Sequence, residues 1–564
     1  MLIPKNNANQ MRTRILIKIA ESYFADKFKN ADRIPLELRP KEQQPSRCCI
    51  YKDRAVLKYR CMSSLGFSPE EETDELKSLA QYGEEALERT HPEKAQLCVI
   101  DVACSACIKA QYMVTNACRG CFARPCQMNC PKEAISFVNG RAHIDPDKCV
   151  NCGKCHEVCP YHSIIRIPVP CEEACPVGAI TKDEFGKEHI NHETCISCGK
   201  CLQSCPFGAI VERSQMVDVL KLINETDKQV VAMLAPAIVG QFPGDIGNVV
   251  GALKKAGFSD VIEVAVGADI TTKKEATEFI EKMENGEKLM TTSCCPAWSM
   301  MAKTAFPDLA KNISMTMTPM VFTARMMKQA DPEARMCFIG PCAAKKLEAS
   351  RRTVRSDVDF VLTFEELSSL MRKRGVSLEQ RTREDNSKGR ARLFPTTGGI
   401  LKSMFLPRKD YSYLALDGTE DCIAALREIE KGNLRNCFIE MSACRGSCVG
   451  GPVMEKYHCS PVSNYNQVAS YAKSEDFDVA PVSPEEIYRE HDFIGTSRAM
   501  PTQSEIEAIL KKIGKLKPED ELNCGSCGYN TCREKAIAVY QGKADLNMCL
   551  PYLKDKAESF SDNI

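Results

Sequence analysis

Cysteine is the residue type that carries most of the potential chemistry in this sequence. The chain contains 33 cysteines among 564 residues, and 25 of them fall into three groups whose spacing suits metal ligands. Disulfide frameworks of this density belong to small secreted domains, whereas this chain is long and begins without an apolar signal segment. Because thiolates are soft ligands, the cysteine content predicts bound metal. Eight cysteines match no ligand pattern and are interpreted as core or surface thiols: Cys48, Cys49, Cys61, Cys98, Cys337, Cys422, Cys437 and Cys459.

The first group repeats one spacing, in which close cysteines are followed by a three-residue gap and Cys-Pro. Its members are Cys118-x2-Cys121-x4-Cys126-x3-Cys130-Pro, Cys149-x2-Cys152-x2-Cys155-x3-Cys159-Pro, Cys171-x3-Cys175-Pro and Cys195-x2-Cys198-x2-Cys201-x3-Cys205-Pro. This is the run of bacterial ferredoxins, where three close cysteines bind one [4Fe-4S] cluster and the fourth ligates its neighbour. Zinc would need closed sets of four cysteines and would not explain the repeated Cys-Pro.

The exchange of the fourth ligand predicts three clusters. They are Cys118, Cys121, Cys126 with Cys159; Cys149, Cys152, Cys155 with Cys130; and Cys195, Cys198, Cys201 with Cys175. Cys171 and Cys205 remain, together with Cys104 and Cys107 upstream. Whether these four form a fourth cluster stays open at this point. The phrases PKEAI, PVGAI and PFGAI, each after a cysteine, indicate an internal duplication.

The second group lies near the end of the chain and consists of Cys524, Cys527, Cys532 and Cys549. Three clustered cysteines and a distant fourth suit another [4Fe-4S] cluster, whose last ligand follows a helix. The pattern resembles the small cluster domain of corrinoid iron–sulfur proteins and several redox enzymes. Tetrahedral zinc is the alternative, because four sulfurs also suit that ion.

The third group is sparse. Cys294 and Cys295 lie in TTSCCPAW, Cys342 lies in IGPCAAKKLEA, and Cys444 and Cys448 lie in SACRGSCVGG. The gaps of 47 and 102 residues between Cys295, Cys342 and Cys444 require ligands that converge from separate loops. Strand-like runs such as QVVAMLAP, MCFIG and NCFIEM alternate with helical stretches. This alternation predicts parallel α/β lobes with chemistry at the carboxyl ends of the strands.

These three motifs, in this order, resemble the signature loops of the [FeFe]-hydrogenases over residues 226–460. The resemblance implies an H-cluster, which is a [4Fe-4S] cube joined to a two-iron unit with carbon monoxide, cyanide and azadithiolate ligands. It implies that the cube is ligated by Cys295, Cys342, Cys444 and Cys448, with Cys448 shared between the two parts. It further implies cofactor contacts by Ala235, Pro236 and Pro341.

The resemblance also implies roles for six residues around the cluster. Cys294 is expected to be the first proton acceptor, and Lys345 is expected to pair with the charge of a cyanide ligand. Glu275 and Glu278, three residues apart on one predicted helix face, are expected to relay protons with Ser314. Glu348 is expected to anchor the Cys342 loop by hydrogen bonds. The alternatives are an inert buried thiol for Cys294, a solvated lysine for Lys345 and an exposed acidic helix face for the two glutamates.

Several positions depart from the familiar pattern of the family. Gly340 and Ser442 stand where methionines are expected, Ala237 stands in place of a serine, and Gly450-Gly451-Pro452 replaces a longer glycine-rich ending. With the C-terminal cysteine motif, the sequence resembles the group B branch. Two other functions remain as alternatives. One is a dihydrogen sensor, although no signalling module is evident. The other is an assembly factor without hydrogen chemistry, although the Cys294-Cys295 pair argues against it.

The fold class expected is multidomain α/β and α+β. A two-lobed catalytic domain with parallel sheets would follow tandem bacterial-ferredoxin-like modules and precede a small cluster domain. The expected parts are a helical N-terminal region (1–95), ferredoxin-like modules (96–215), an H-cluster domain (226–495), a linker (496–520) and a C-terminal [4Fe-4S] domain (521–564).

The charge balance of 75 basic and 75 acidic residues argues against a nucleic-acid or anionic-membrane partner. No apolar run approaches the ~18 residues of a membrane span. The expected location is the cytoplasm of an anaerobic organism. The expected partners are dihydrogen and protons, ferredoxin or a similar low-potential carrier, and hydrogenase maturation proteins.

Overall fold

The structure is a computed structural model of the chain. It describes residues 7–90, 96–108, 111–225, 228–242, 246–351, 354, 357–373, 389–404, 410–454, 460–472, 501–527, 529, 531–540 and 544–561. The chain divides into two compact units, residues 1–478 and 479–564. Cys459 lies outside the described residues. The other seven cysteines without a ligand pattern are free thiols, and five of them are buried: Cys61, Cys98, Cys337, Cys422 and Cys437.

All described strands belong to the first unit. In chain order they are β1 Leu97–Val99, β2 Gln111–Val114, β3 Ile135–Val138, β4 Arg141–Ile144, β5 Ile164–Ile167, β6 Ile180–Lys182, β7 Glu188–Ile190, β8 Ile210–Glu212, β9 Val230–Leu234, β10 Asp260–Glu263, β11 Leu289–Thr291, β12 Arg335–Gly340, β13 Phe360–Thr363, β14 Ser412–Asp417 and β15 Cys437–Ser442.

The α-helices of this unit surround and connect these strands. They are α1 Asn7–Asp26, α2 Ile34–Leu38, α3 Ile50–Ser64, α4 Leu79–Glu88, α5 Pro125–Met128, α6 Lys154–Glu157, α7 Pro170–Ala174, α8 Lys200–Ser204, α9 Met216–Glu225, α10 Ile246–Lys255, α11 Ala265–Glu284, α12 Pro296–Ala305, α13 Pro319–Ala330, α14 Ala344–Ala349, α15 Phe364–Lys373, α16 Gly399–Ser403, α17 Thr419–Glu430 and α18 Pro461–Ala472. Short 3₁₀ helices span Ala31–Arg33, Pro69–Glu71, Pro236–Gly240, Pro307–Asn312, Arg390–Leu393 and Ser447–Gly450.

Two parallel sheets form the core of the larger part of this unit. One has the strand order β10-β9-β12-β13, and the other has the order β11-β15-β14. The central strands β9 and β15 are buried along their whole length, as near-continuous apolar strands covered by helices on both faces should be. Since the strands within each sheet are parallel, their carboxyl ends meet at one edge. The predicted two-lobed α/β architecture is confirmed.

The cysteine-rich segment ahead of these sheets folds into small antiparallel pairs. Strand β3 pairs with β4, β6 with β7, β2 with β5, and β1 with β8. Strands β4 and β7 lie in the segments RAHID and KEHIN. The candidate ligand cysteines of this region lie in the segments that connect the strands.

The N-terminal helices pack onto the same core rather than standing apart. Met11, Ile15 and Ile19 of α1 share a buried apolar cluster with Val230 and Leu367. The sequence predicts a helical N-terminal region over 1–95, and helices α1, α2, α3 and α4 lie within those bounds.

A buried charge network joins three segments that are far apart in sequence. The ammonium of Lys346 is fully buried between Glu212, at 2.8 Å, and Glu366, at 2.9 Å. Arg12 of α1 adds a guanidinium at 2.6 Å from Glu212. Ser214 donates a 2.6 Å hydrogen bond to Glu366. Because buried charges are tolerated only when paired and hydrogen-bonded, the four charges hold α1, β8 and α15 together.

The second unit is a small helical domain. Its helices are α19 Gln503–Lys512, α20 Cys532–Tyr540 and α21 Leu550–Ser561, with 3₁₀ helices at Pro518–Asp520 and Leu546–Met548. Leu510 and Ile513 are buried against Ala536 and Cys549. The segment expected to be a linker therefore contributes a packed helix to this unit, because its apolar residues recur on one helix face. None of the helices in the described part of the chain has the length and apolar character that a bilayer crossing needs.

Replacing Lys346 by methionine should destabilise the first unit by about 3–5 kcal/mol, because Glu212 and Glu366 would keep buried charges without their shared cation. Chemical denaturation followed by circular dichroism measures the change. Lys431→Met is the matched control, since the Lys431–Glu428 pair lies on the surface and should contribute less than about 1 kcal/mol. Equal stability of the two variants would contradict the role assigned to the network.

Candidate functional site

Four cysteines from distant parts of the sequence converge on one cavity of about 1060 Å³, its open mouth included. Cys295 follows β11, Cys342 follows β12, and Cys444 and Cys448 follow β15. The cavity therefore lies where the carboxyl ends of strands from both parallel sheets meet. Ala235 and Pro236 follow β9 and line the same cavity, as does Pro341.

The four thiols lie within electrostatic reach of one another. Burial raises the pKa of Cys444 well above its ordinary value, and Cys295, Cys342 and Cys448 raise it further. Burial also raises the pKa of Cys448 to about 11. Four thiolates cannot share an apolar cavity without a cation, and low-valent iron accepts thiolate ligands. The donor set thus fits an iron–sulfur cube.

Local backbone geometry presents these sulfurs to the cavity. Cys295 is the N-cap of α12, and its sulfur accepts a 3.5 Å hydrogen bond from the amide of Trp298. The turn between Cys444 and Cys448 is so tight that a β-carbon on Gly450 would lie 1.8 Å from the carbonyl oxygen of Arg445. Only glycine fits at this position.

Cys294, the neighbour of a ligand, faces both the cavity and a buried carboxyl group. Its sulfur lies 4.0 Å from Glu275 Oε2. The other oxygen of Glu275 accepts hydrogen bonds from the amide of Ser293 at 3.1 Å and from its hydroxyl at 3.2 Å. Burial raises the pKa of Glu275 to about 7 despite these donors, and burial also raises the pKa of Cys294 well above its ordinary value.

A second carboxyl group continues this line toward the surface. Ser314 donates a 2.7 Å hydrogen bond to Glu278, and its hydroxyl also lowers the pKa of Glu275. Glu278 accepts further hydrogen bonds from Met315 and Thr316 and pairs with Lys282 at 3.0 Å. These donors outweigh partial burial and hold the pKa of Glu278 below its usual value. The structure therefore brings together Cys294, Glu275, Ser314 and Glu278 in that order.

Lys345 lines the cavity, and two hydrogen-bond acceptors hold its ammonium in place. It donates to Glu348 at 2.6 Å and to the carbonyl oxygen of Cys294 at 3.3 Å. Thr318 donates a 2.6 Å hydrogen bond to the other oxygen of Glu348. Burial alone would lower the pKa of Lys345, but Glu348 outweighs it and the pKa is raised. Lys345 is thus a buried, charged ammonium rather than a solvated one.

The departures from the family pattern lie around the same cavity. Ala237 and Ser442 line it. A β-carbon on Gly340 would lie 2.5 Å from the ring of Phe338, and that ring is itself part of the lining. The aromatic ring of Phe338 therefore occupies the space into which a side chain at position 340 would extend.

Two lining residues were missed by the sequence analysis. Glu440 is buried in β15, accepts a 3.0 Å hydrogen bond from the amide of Leu401, and has a pKa raised by burial to about 7. A lone carboxyl in the apolar run NCFIEM, just before a ligand, was the available signal. Cys198 was assigned to a ferredoxin cluster, but nothing in its spacing indicated that it also borders this cavity.

Cysteines of the first ferredoxin-like module gather in two sets. The pKa of Cys126 is raised by burial and by the nearby thiols of Cys159, Cys121 and Cys118. The second set lines a small cavity of about 340 Å³ and consists of Cys130, Cys149, Cys152 and Cys155. Each set exchanges one ligand with the other stretch of sequence, as the ferredoxin spacing predicts.

The second module holds two further sets. Burial raises the pKa of Cys201 well above its ordinary value, and the nearby thiols of Cys198, Cys195 and Cys175 raise it further. The remaining set is the one that the sequence left open. Besides burial, Cys205 raises the pKa of both Cys107 and Cys171, and Cys104 raises the pKa of Cys107. All these cysteines except Cys198 border one apolar cluster. The set that contains Cys198 adjoins the large cavity. Cys198 lines that cavity, and its thiol raises the pKa of Cys444.

The repeated phrase after each Cys-Pro has a structural reason. The amides of Ala134, Ala179 and Ala209 each donate to the cysteine sulfur four residues earlier, at 3.3, 3.2 and 3.4 Å. The residue just before each alanine has positive φ: 49° at Glu133, 63° at Gly178 and 57° at Gly208. That left-handed turn aims the amide at the sulfur, and such hydrogen bonds tune the potential of a cluster.

The C-terminal cysteines also come together, within the second unit. Cys524, Cys527, Cys532 and Cys549 line one cavity of about 310 Å³ beside the buried Lys535. Among the described residues no three histidine, cysteine or acidic side chains are arranged to hold a single metal ion. A cube does not require such convergence, because each of its four irons takes its own sulfur.

Comparison with known proteins places these features in context. A family model described as "Iron only hydrogenase large subunit, C-terminal domain" matches residues 228–452. Models for an LdpA Fe-S cluster-binding domain, a 4Fe-4S binding domain and a putative Fe-S cluster match residues 165–216, 141–164 and 520–551. Iron hydrogenase 1 of Clostridium pasteurianum is 27% identical over 386 residues, which are 57% of this chain and 66% of that protein. This chain thus spans just under two thirds of that relative.

Two other similarities are weaker. An apo [FeFe]-hydrogenase HydA1 variant from Chlamydomonas reinhardtii is 21% identical with a TM-score of 0.40, covering 48% of this chain and 91% of that one. The cytosolic Fe-S cluster assembly factor NAR1 of Kluyveromyces lactis is 29% identical over 111 residues, which are 20% of this chain and 24% of that protein.

Replacing Cys171 by alanine should remove about four iron atoms per chain if the set of Cys104, Cys107, Cys171 and Cys205 holds a cube. Iron analysis and Mössbauer spectroscopy of anaerobically reconstituted protein measure the loss. Cys98→Ala is the matched control, because Cys98 is a buried thiol outside the sets and should leave the iron content unchanged. Unchanged iron in Cys171→Ala would contradict a fourth cluster.

Replacing Glu275 by glutamine should change how stability depends on pH. The pKa of Glu275 is raised from 4.5 to about 7 in the folded protein. The contribution of Glu275 to folding stability is therefore fully present below pH 4.5 and is lost as the pH rises through 7. Glu275→Gln has no such pH-dependent loss. Its free energy of unfolding, relative to that of the wild type, should therefore increase by about 2–3 kcal/mol across this pH range. Denaturation of metal-free protein at pH 5 and pH 8 measures it. A constant difference would contradict the raised pKa.

Proposed function

We propose that the chain, which is similar to [FeFe]-hydrogenases and carries iron–sulfur modules ahead of the matching domain, catalyses the reversible conversion of dihydrogen into two protons and two electrons. The observation that carries the proposal is the pair of Cys294 and Glu275. A thiol on the cavity wall lies 4.0 Å from a buried carboxyl, beside a quartet of cysteines suited to iron. A purely structural cluster site needs the quartet but not this pair.

We assign the cube of an H-cluster to Cys295, Cys342, Cys444 and Cys448. When bound, the H-cluster would supply the iron centre at which dihydrogen is split or formed. The chain's own part is to hold it in a largely apolar cavity, which strengthens charge interactions within. Ala235, Pro236 and Pro341 form part of that apolar wall.

Lys345 supplies positive charge at the cavity. An ammonium has three donors, and the contacts with Glu348 and the Cys294 carbonyl use two of them. The third suits an anionic ligand of the cofactor, such as cyanide. Glu348 and Thr318 hold the ammonium in position and keep it charged.

Protons move between the cavity and solvent along side chains that can exchange them. Cys294 takes or gives a proton at its sulfur, and Glu275 does so at its carboxyl, whose pKa of about 7 matches neutral conditions. The hydroxyl of Ser314 donates to Glu278 and lowers the pKa of Glu275, so it is the polar group that links the two carboxyls. Glu278, with its lowered pKa, passes the proton toward Lys282 and the surface.

Electrons take a different route. The cluster assigned to Cys175, Cys195, Cys198 and Cys201 adjoins the cavity through Cys198. The set of Cys104, Cys107, Cys171 and Cys205 shares its apolar surroundings, and the two sets of the first module lie farther along. We propose that these clusters connect the cavity to a low-potential carrier of the ferredoxin class in an anaerobic cytoplasm.

An assembly-factor function is the second candidate, favoured by the similarity to NAR1. That similarity covers 20% of the chain, whereas the hydrogenase model covers residues 228–452. Infrared spectroscopy separates the two. Protein matured anaerobically with the two-iron cofactor should show carbon monoxide and cyanide stretching bands. An assembly factor without hydrogen chemistry would show none.

Replacing Cys294 by alanine should leave those infrared bands in place and lower hydrogen production from reduced methyl viologen by about 10²–10⁴-fold, because the first proton acceptor is lost. Cys422→Ala is a control with another buried thiol near the quartet, and its rate should stay within a few-fold of wild type. Full turnover by Cys294→Ala would refute the proton role. A low rate in the wild type itself would favour the sensor alternative.

A further inference from the structure

One loop of the first ferredoxin-like module exposes an aromatic residue completely. Phe122 lies between Cys121 and Cys126 and is 103% exposed, and Met128 on the following helix is 78% exposed. A phenylalanine gains nothing from facing water, and exposed apolar groups of this kind mark interaction surfaces. This loop carries ligands of the first cysteine set, so the residues that surround Phe122 also surround the end of the electron path.

Positive charge surrounds the same residue. Residues 115–144 contain four basic side chains, Arg119, Arg124, Lys132 and Arg141, against the single acidic Glu133, although the whole chain is neutral. The ion pairs of this module engage Lys148 and Arg166 instead. Arg119, Arg124 and Arg141 form no ion pair with any carboxylate in the described part of the chain.

The contacts of the module hold these cations beside Phe122. The Arg124 guanidinium stacks over the ring of Phe137, 4.3 Å from its centroid. Arg141 donates a 2.7 Å hydrogen bond to Asn116, two residues before Cys118. A β-carbon on Gly120 would lie 2.0 Å from the Gly140 carbonyl, so the cysteine loop packs directly on the β3–β4 turn. The exposed side chains of this loop, of the helix that follows it and of the turn packed against it are together called the basic–aromatic patch: Arg119, Phe122, Arg124, Met128 and Arg141.

We propose that the basic–aromatic patch docks a small acidic iron–sulfur carrier protein, which exchanges electrons with the cluster of Cys118, Cys121, Cys126 and Cys159. The inference rests on the proposed function and specifies where its electrons leave or enter. Each dihydrogen consumed gives two protons and reduces two oxidised carriers by one electron each, and the reverse holds for hydrogen production. Arginine and an aromatic anchor are the residue types that dominate such interfaces, and the charge steers an acidic partner.

The C-terminal unit is the competing docking place, and its charge argues against it. Leu522 and Leu550 are exposed near its cysteine set. Residues 503–561, however, contain nine acidic and nine basic side chains. This unit therefore offers an acidic carrier no net attraction, whereas the basic–aromatic patch does.

The test uses full-length matured enzyme with two electron donors, reduced methyl viologen and a reduced acidic [2Fe-2S] ferredoxin. Phe122→Ser and the double variant Arg119→Glu/Arg124→Glu should raise the KM for the ferredoxin by about 10-fold or more. The dye-driven rate should not change. Isothermal titration calorimetry with the same ferredoxin should show the same weakening of Kd, which added salt should mimic in the wild type.

Matched controls isolate the patch. Phe185→Ser removes another exposed aromatic, 77% exposed at the β6–β7 turn, and Lys431→Glu/Arg435→Glu reverses surface charges elsewhere. Both should leave ferredoxin binding intact. Unchanged KM and Kd in the patch variants would overturn the proposal, as would a loss of binding in Leu522→Ser/Leu550→Ser alone. A dimer in sedimentation that Phe122→Ser dissociates would identify a second copy as the occupant instead. If no protein shows dye-driven activity, the proposed function fails, and calorimetry still decides the docking.

Discussion

The constraint on which the first unit depends is the burial of four thiols that become negatively charged when they bind metal. A group of thiolates in an apolar cavity is stable only with a cation among them, so the fold must hold the quartet in place and leave room for iron. Parallel strands meet this need, because their carboxyl ends lie together while their helices cover both faces. Cys295, Cys342 and Cys444 each follow such a strand, and the close approach at Gly450 brings Cys448 to the same wall.

Charge around the quartet follows from the same burial. Lys345 stays charged because Glu348 and Thr318 hold it, whereas Glu275 lacks a cation and its pKa rises to about 7. Glu278, only one turn away, keeps a lowered pKa because amides, hydroxyls and Lys282 bond to it. Two glutamates on one helix thus acquire different acidities through their burial and their partners. From Cys294 to Glu275 to Glu278 the pKa falls, so each group is a weaker base than the one before it, and only the last step, from Glu278 to water, is eased by a low pKa.

The sequence was most informative where ligand chemistry fixes spacing. The ferredoxin runs indicated which cysteines gather, and alternating apolar runs indicated parallel lobes, because both depend on short-range patterns. Positions set by tertiary contacts were not accessible. Glu440 reads as an ordinary strand residue until the structure places it on the cavity wall. The segment 496–520 reads as a short helix with a polar tether, but the partners of that helix, Ala536 and Cys549, lie beyond it in sequence and no local pattern identifies them. The buried network around Lys346 joins residues more than 130 positions apart, and no local pattern signals it.

In the cysteine repeats, one left-handed residue has two structural consequences. A left-handed residue three positions after a ligand turns the chain, and it also aims the next amide at that ligand's sulfur. Each such hydrogen bond stabilises the more negative, reduced form of a cluster, so the repeats set potential as well as shape. At Cys159 a serine hydroxyl lies 3.2 Å from the sulfur as well, where the other repeats have alanine. Ser163 therefore gives Cys159 an additional polar neighbour, so the cysteine sets differ in the groups that would tune a bound cluster.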